Sequence, residues 1–185
     1  MPRSTRATRS RSPEPVELRE QARPTRTFED LYRQEFPAVV GLAYALSGSR
    51  AGAEDLAQEA FLAAHRNWGR IAGYDKPEAW VRRVVANLSV SFMRRRVVEA
   101  KGLARLALRC EPALPELGAE DAEFWSAVRS LPKRQAQVVA LHYLEDLPVT
   151  RIAEILDVAE GTVKAHLHAA RAALAAKLDL EEGSA

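Results

Sequence analysis

Apolar residues recur every three or four positions through most of this 185-residue chain, and that spacing restricts its fold more than any other feature. The spacing runs from Phe28 to about Val98 and returns from Asp121 onward. No stretch alternates apolar and polar residues for long enough to predict a strand. The sequence therefore predicts an all-α protein.

Glycine, serine and proline interrupt this pattern and predict where the helices end. Breaks at 47–52 and 69–77 divide the first half into three main helices, the third beginning at Pro77, since proline suits a first helical turn. In the second half the pattern predicts four short helices, at 122–130, 133–144, 149–156 and 161–178.

A weakly patterned segment separates the two halves and predicts two small domains. Residues 99–120 contain two glycines and two prolines, so we expect a flexible linker with one helical turn at 103–108. Residues 1–26 are rich in Arg, Ser, Thr and Pro, a composition typical of a disordered arm. The predicted order is a basic arm at 1–26, a helical domain at 27–98, the linker at 99–120, a second helical domain at 121–180 and a tail at 181–185.

Charge is distributed unevenly along the chain. The arm carries seven Arg against three Glu, a net +4, so the remainder carries −2 of the overall +2. The arm could contact DNA phosphates, or it could only keep the chain in solution, and the sequence leaves both open. Any basic surface in the two domains must therefore be local.

Cysteine content and hydropathy indicate the compartment. Cys110 is the only cysteine, which excludes an intramolecular disulfide and a cysteine-based zinc cluster. No apolar run approaches the roughly 20 residues that a membrane span needs, and no apolar signal core follows the arm. We expect a cytoplasmic protein without membrane insertion.

Residues 149–168 have the pattern of a helix-turn-helix. Ile152, Leu156 and Val163 supply apolar positions for two crossed helices, and Ala153 is small where the second helix passes. Asp157 occupies the turn, where glycine is commoner, but aspartate tolerates a left-handed backbone better than most residues.

The second helix of this motif carries cations on one face. Thr162 lies in its first turn, and Lys164, His168 and Arg171 follow at spacings of four and three. This geometry suits a recognition helix whose first turns enter the major groove. A plain helical hairpin with a solvated charged face is the alternative.

Two segments of the first half also concentrate functional residue types. Asp55, Gln58, Glu59 and Leu62 form an acidic stripe along one helix face, which is either a solvated surface or a docking site for a basic helical partner. Further on, a helix concentrates five arginines with no acidic residue between Arg82 and Glu99, and it can neutralise several phosphates: Arg82, Arg83, Arg94, Arg95 and Arg96.

These segments resemble the extracytoplasmic-function (ECF) group of sigma factors in the sigma-70 family. "AEDLAQEAFLAAHRNW" matches the D-x-x-Q-E-x-F pattern of sigma region 2, and "PEAWVRRVVANLSVSFMRRR" resembles the helix that reads and melts the minus-ten element. "SLPKRQAQVVALHYLEDLPVTRIAEIL" resembles the flank of the region 4 helix-turn-helix. "GTVKAHL" is also similar to the helix-turn-helix of many response regulators. A response regulator would carry an amino-terminal receiver domain with alternating strands, and this sequence has no such pattern. The linker is too short for the extra domain of larger sigma factors.

The resemblance covers about residues 28–98 and 121–178 and implies a role for each group of residues. Polymerase docking, on the clamp helices of the beta-prime subunit, falls to Asp55, Gln58, Glu59 and Leu62. Minus-ten recognition falls to Arg82, Arg83, Asn87, Arg94, Arg95 and Arg96. Minus-35 recognition falls to Thr162, Lys164, His168 and Arg171. Further implied partners are promoter DNA, the beta flap and an anti-sigma factor; no cofactor, metal or catalytic residue is implied.

Several positions depart from the family pattern. Ser91 stands where many members have Asp, and Ile71 lies near the position at which some members supply an aromatic wall to the base pocket. In the second helix of the helix-turn-helix, Ala165, His166 and Ala169 replace polar or basic residues that are frequent in the family. These departures affect the promoter sequence that is read rather than the architecture.

Two other functional classes remain as alternatives. An enzyme is disfavoured, because no Gly-rich phosphate loop occurs and His166 and His168 are two apart and diverge on a helix. A stand-alone helix-turn-helix regulator would use the first half for sensing or dimerisation. Such a regulator would have no need of the basic helix at 82–96, so that helix favours a sigma factor.

Overall fold

A computed structural model describes the backbone of residues 27–102 and 119–182, and the side chains of 27–92 and 122–178. The predicted arm at 1–26, the predicted helical turn at 103–108 and most of the predicted linker and tail lie outside the described residues. The side chains of Arg94, Arg95 and Arg96 lie outside them as well.

Every regular element in these two ranges is a helix, which confirms the all-α prediction. The first half contains α1 (Phe28–Ser47), α2 (Arg50–Arg66), α3 (Trp68–Ile71) and α4 (Pro77–Gly102). The second half contains α5 (Ala119–Arg129), α6 (Lys133–Tyr143), α7 (Val149–Leu156) and α8 (Glu160–Glu182). The one-turn α3 was not predicted, and α4 continues beyond the predicted boundary at 98, because Glu99, Ala100 and Lys101 are good helix formers.

Local capping determines both ends of α1. The Thr27 hydroxyl accepts a hydrogen bond from the Asp30 backbone N–H, and the Asp30 carboxylate accepts one from the Thr27 N–H, which forms a capping box. At the other end, Gly48 adopts a left-handed backbone with φ +68°, and its N–H donates to the Tyr44 carbonyl. A side chain at Gly48 would also collide with the guanidinium of Arg129 from α5.

The first domain packs α1, α2 and α4 around one apolar core. Fully or nearly fully buried side chains come from each of these helices and from α3: Leu31, Val39, Leu42, Leu56, Phe61, Ile71, Val81 and Val85. The aromatic rings of Phe28, Tyr32 and Phe36 contact Phe61 in edge or tilted orientations. This core holds α2 and α4 rigidly, so the polar side chains on their outer faces have fixed positions.

The second domain places the helix-turn-helix on a support made by α5 and α6. Ile152 and Val163 are fully buried between α7 and α8, and Ala153 is nearly so, as the pattern predicts. Asp157 adopts φ +58° and ψ +54°, which confirms the left-handed turn predicted there. Apolar packing therefore holds α7 and α8 against each other, and the turn between them has a backbone conformation that aspartate can adopt.

The two domains also contact each other. Helix α1 lies against α5 and α6, while α4 lies against α7. Arg129 reaches from α5 to the carbonyl of Ala45 near the end of α1. Arg83, one of the predicted minus-ten residues, lies on the face of α4 that touches α7.

Candidate nucleic-acid and polymerase interfaces

The acidic stripe lies exposed on α2. Asp55, Gln58, Glu59 and Leu62 all face outward, while the opposite face of the helix is buried in the core through residues such as Phe61. Leu62 is 56% exposed, one of few large apolar side chains on the surface of the described residues. The stripe is thus an acidic surface with an apolar residue at one end, on a helix that the core keeps rigid.

The recognition helix presents its predicted residues to solvent. Thr162, Lys164 and His168 are exposed on the first turns of α8. Arg171 is also exposed, and its Nε donates to the Tyr143 hydroxyl at 2.8 Å while the guanidinium carbon lies 5.9 Å from the ring centroid. Tyr143, at the end of α6, was not predicted as part of this surface, since its distance along the sequence conceals the contact.

The predicted minus-ten residues have a different environment, beginning with Arg82. Its Nη1 lies 2.8 Å from the Glu35 carboxylate on α1, and its Nε lies 2.7 Å from the Glu145 carboxylate in the second domain. The side chain is only 12% exposed. Burial acts to lower the pKa of Arg82, but the carboxylates of Glu145 and Glu35 outweigh it and raise that pKa overall. Arg82 is therefore permanently charged and doubly paired.

Arg83, one position further along α4, binds the carboxyl end of α7. Its Nε donates to the Ile155 carbonyl and its Nη2 to the Glu154 carbonyl at 2.8 Å, and Asp157 lies 3.7 Å from Nη1. The last carbonyls of a helix lack intrahelical partners and carry the negative end of the helix dipole. Arg83 thus caps α7 from the neighbouring domain.

Asn87 contacts the second domain through the buried amide of Gln137. Its Oδ1 accepts a hydrogen bond from Gln137 Nε2 at 3.3 Å, and the same nitrogen donates to the Ala86 carbonyl at 3.0 Å. Gln137 is fully buried, and its own Oε1 accepts from Arg134. Sequence reasoning missed Gln137, because a single glutamine within a helical pattern gives no sign of what it bonds.

Two further ion pairs join the domains beside Arg83. Arg151 of α7 lies 2.9 Å from Glu78 of α4 and also pairs with Glu154 of its own helix, and Lys76 lies 3.5 Å from Glu154. The hydrogen bond from Arg151 is the main cause that lowers the pKa of Glu154, against the opposing effect of burial, and Lys76 adds to it.

A cleft of about 530 Å³ opens where α4, α7 and the segment after α3 meet. Arginine, lysine and aromatic side chains line much of it: Arg70, Tyr74, Lys76, Trp80, Arg83 and Arg151. Ile71, the predicted replacement for an aromatic wall, is fully buried, whereas the exposed aromatic in this region is Tyr74. The sequence pattern did not single out Arg70, Tyr74 or Lys76.

The described residues show neither a metal site nor a membrane span. Within 27–102 and 119–182 no three His, Cys, Asp or Glu residues are grouped so that they could hold a metal ion. None of the helices in the same ranges is long and apolar enough to cross a bilayer.

Comparison with known proteins gives matches in both domains. The family models Sigma-70 region 2 and Sigma-70, region 4 match residues 31–97 and 121–174. The ECF RNA polymerase sigma factor SigW of Bacillus subtilis (strain 168) is 29% identical, over 80% of this chain and 86% of the relative. The ECF RNA polymerase sigma factor SigM of Mycobacterium tuberculosis (strain ATCC 35801 / TMC 107 / Erdman) is 31% identical, over 80% and 75%.

A solved structure resembles the chain across both domains. It is the sigma factor RpoE from Bartonella quintana in complex with the anti-sigma factor NepR, with a TM-score of 0.66 and 25% identity. The match covers 82% of this chain and 96% of that one, so it spans both domains.

Proposed function

The chain belongs to the ECF group of bacterial RNA polymerase sigma factors, and we propose how its two domains divide the work of that family. As a sigma factor it binds core RNA polymerase and directs initiation at promoters. The proposed division assigns polymerase docking and the minus-ten element to residues 27–98, and the minus-35 element to residues 121–180. The observation that carries this division is that each domain presents its own set of polar side chains on a rigid helix face.

Polymerase docking is assigned to the α2 stripe of Asp55, Gln58, Glu59 and Leu62. Its acidic groups are exposed and suit a partner surface with cations, here the clamp helices of the beta-prime subunit. Leu62 adds exposed apolar surface, and its burial by a partner would be favourable.

The minus-35 element is assigned to the first turns of α8. Thr162, Lys164 and His168 are exposed there, on a helix fixed by the buried packing of Val163 against α7. Arg171 lies further along the same helix, where its guanidinium can contact a phosphate. Contact with the beta flap of the polymerase is assigned to the same domain.

The minus-ten element is assigned to α4. Its cations, Arg82, Arg83, Arg94, Arg95 and Arg96, would neutralise the phosphates of the separated strand. The Asn87 amide can donate to and accept from a base edge. Three of these residues, Arg82, Arg83 and Asn87, also contact the second domain in the structure.

Affinity for core polymerase tests the docking assignment. Asp55→Ala with Gln58→Ala is expected to weaken binding to purified core enzyme at least tenfold, since it removes one charge and one amide from the centre of the stripe. Glu29→Ala is the matched control, because it removes one exposed acidic charge from α1 outside the stripe. Fluorescence anisotropy of the labelled full chain measures all three affinities.

The control separates specific docking from general charge attraction. The stripe assignment requires the double variant to lose affinity while Glu29→Ala keeps it and both variants keep the wild-type circular dichroism. Equal affinities for the double variant and the wild type would remove these residues from the docking site.

We further propose that the chain has no enzymatic activity, acts in the cytoplasm at the nucleoid, and is controlled by an anti-sigma factor. The proposed location at the nucleoid follows from the two partners of a sigma factor, core polymerase and promoter DNA. The resemblance to a sigma factor solved with an anti-sigma factor supports the third proposal. A protein that co-purifies with the chain from native lysate and blocks its binding to core polymerase is the expected finding, and free access of core polymerase to the chain in such a lysate would contradict it.

A further inference from the structure

Three exposed arginines lie at one corner of the first domain. The first turns of α1, the last turn of α2 and the short helix α3 meet there, because the Phe28 ring lies 4.8 Å from the His65 ring and 5.7 Å from the Trp68 ring. Each of these elements carries one exposed arginine, and together they are called the corner arginines: Arg33, Arg66 and Arg70.

The corner arginines have no partner among the described side chains. Within 27–92 and 122–178 none of the three makes an ion pair or a side-chain hydrogen bond, in contrast to Arg82 and Arg83 of α4. Neighbouring cations without partners repel each other, and a polyanion that covers them relieves this repulsion. The corner is therefore suited to a ligand with several negative charges.

An aromatic pocket lies beside Arg33. It has a volume of about 290 Å³ and is lined by Phe28, Glu29, Tyr32, Arg33 and His65. Tyr32 is 37% exposed, so its ring can stack on a nucleobase whose phosphate contacts the arginine. Cations next to exposed aromatic rings are typical of surfaces that bind single-stranded nucleic acid.

The basic arm is attached at this corner. Thr27 caps α1, so Arg23 and Arg26 are tethered within about 15 Å of it by the length of the chain. The net +4 of the arm outweighs the charges of Glu29 and Asp30, the two acidic residues in the first turn of α1. The corner and the arm therefore form one positively charged region.

The corner is also continuous with the surface assigned to the opened strand. Arg70 lines the cleft of about 530 Å³ together with Arg83. Arg83 belongs to the α4 face, which is defined as Arg82, Arg83 and Asn87. A strand held by the α4 face can therefore continue past Arg70 to the other two corner arginines.

We propose that the corner arginines and the arm form a second nucleic-acid surface of the first domain, which binds the single strand next to the segment assigned to the α4 face. Recognition is by phosphate charge and base stacking, so this contact adds affinity without adding sequence specificity. The inference rests on the proposed role of α4 in holding the opened strand. The competing occupant for the arm is the acidic stripe on α2.

A charge-matched pair of variants tests the corner. In the corner variant all three corner arginines are replaced by glutamine. The control variant removes the same three charges from exposed positions on α2, α6 and α8, away from the corner: Arg50→Gln, Lys133→Gln and Lys177→Gln. Both are made in the full chain, and circular dichroism checks that both keep the wild-type helix content.

The probe is a fluorescent single-stranded DNA of random sequence, about 20 nucleotides long, titrated at four salt concentrations. The corner variant is expected to bind about tenfold more weakly than the wild type in about 0.1 M salt, and the slope of log affinity against log salt concentration should fall by about two, because three phosphate contacts are lost. The control variant should stay within about twofold of the wild type. Equal losses in the two variants would show that only net charge matters, and would overturn the corner as a site.

Removal of residues 2–24 tests the share of the arm. It should weaken binding to the same probe in the wild-type background and have a much smaller effect in the corner variant, since the arm and the corner hold one strand. Equal effects in the two backgrounds would mean that the arm binds DNA elsewhere. Unchanged DNA affinity with tighter binding to core polymerase would place the arm on the α2 stripe, and either result would overturn its share in this surface.

Arg83→Ala distinguishes failure of this inference from failure of the proposed function. If Arg83→Ala weakens binding to the single strand while the corner variant matches the control variant, the DNA role of α4 stands and the corner is overturned. If only the corner variant loses affinity, the corner binds DNA but its continuity with the α4 face is overturned. If neither loses affinity, the DNA role of the α4 face fails and the corner fails with it.

Discussion

Two surfaces proposed to bind DNA, the α4 face and the first turns of α8, differ in availability more than in composition. On α8, Lys164 and His168 are exposed, and only Arg171 has a neighbour that orients it. On α4, Arg82 and Arg83 already bind carboxylates and carbonyls of the other domain. A run of cations along a helix therefore predicts where the chain can bind a nucleic acid, whereas tertiary contacts determine which of those cations are available.

Removal of the doubly paired Arg82, whose side chain is only 12% exposed, should have the largest effect on stability. Arg82→Ala leaves Glu35 and Glu145 without their shared partner, and we expect the free energy of unfolding to fall by about 3 kcal/mol. Denaturant unfolding of the full chain measures the change. Lys164→Ala, the corresponding change on α8, should alter stability by no more than about 0.5 kcal/mol. If the two variants unfold alike, the α4 cations are no more deeply engaged than those of α8.

The same lysine should matter for DNA instead. Lys164→Ala is expected to weaken binding to a random-sequence duplex and to lower the slope of log affinity against log salt concentration by about one, because one phosphate contact is lost. Titrations at four salt concentrations measure the slope. Lys177→Ala, an exposed lysine far from the first turns of α8, is the control. Equal slopes for the two variants would show that the first turns are not the duplex-binding surface.

The smallest expected effect concerns the tyrosine that orients Arg171. Tyr143→Phe keeps the ring beneath the guanidinium but removes the 2.8 Å hydrogen bond, and duplex affinity should fall about threefold. A double-mutant cycle with Arg171→Ala checks the cause, since Tyr143→Phe should have no effect once the arginine is absent. An undiminished effect in that background would mean that Tyr143 acts through some other contact.

Local chemistry made much of the architecture predictable. The start of α4 at Pro77, the left-handed turn at Asp157 and the burial of Ile152 and Val163 depend on residues within one or two turns, and all are confirmed. The outward orientation of Asp55 and Glu59 follows in the same way from helical periodicity. The assignment of those residues to polymerase remains a prediction.

What could not be predicted depends on residues far apart in sequence. The sequence has no acidic residue between Arg82 and Glu99, yet Arg82 is neutralised by Glu35 and Glu145, 47 and 63 positions away. Gln137 and Tyr143 were missed for the same reason, since each acts on a helix that only the tertiary fold brings near. The contacts between the domains were therefore invisible in the periodicity that revealed the domains themselves.

Transcription reconstituted from purified core polymerase, the full chain and a library of linear genomic promoter fragments is the decisive test of the proposed division between the two domains. We expect discrete transcripts that start at a subset of fragments and require the chain, because one domain must hold the polymerase and the opened strand while the other reads the duplex. The absence of any chain-dependent transcript across the library, at salt concentrations where the chain binds DNA, would contradict it.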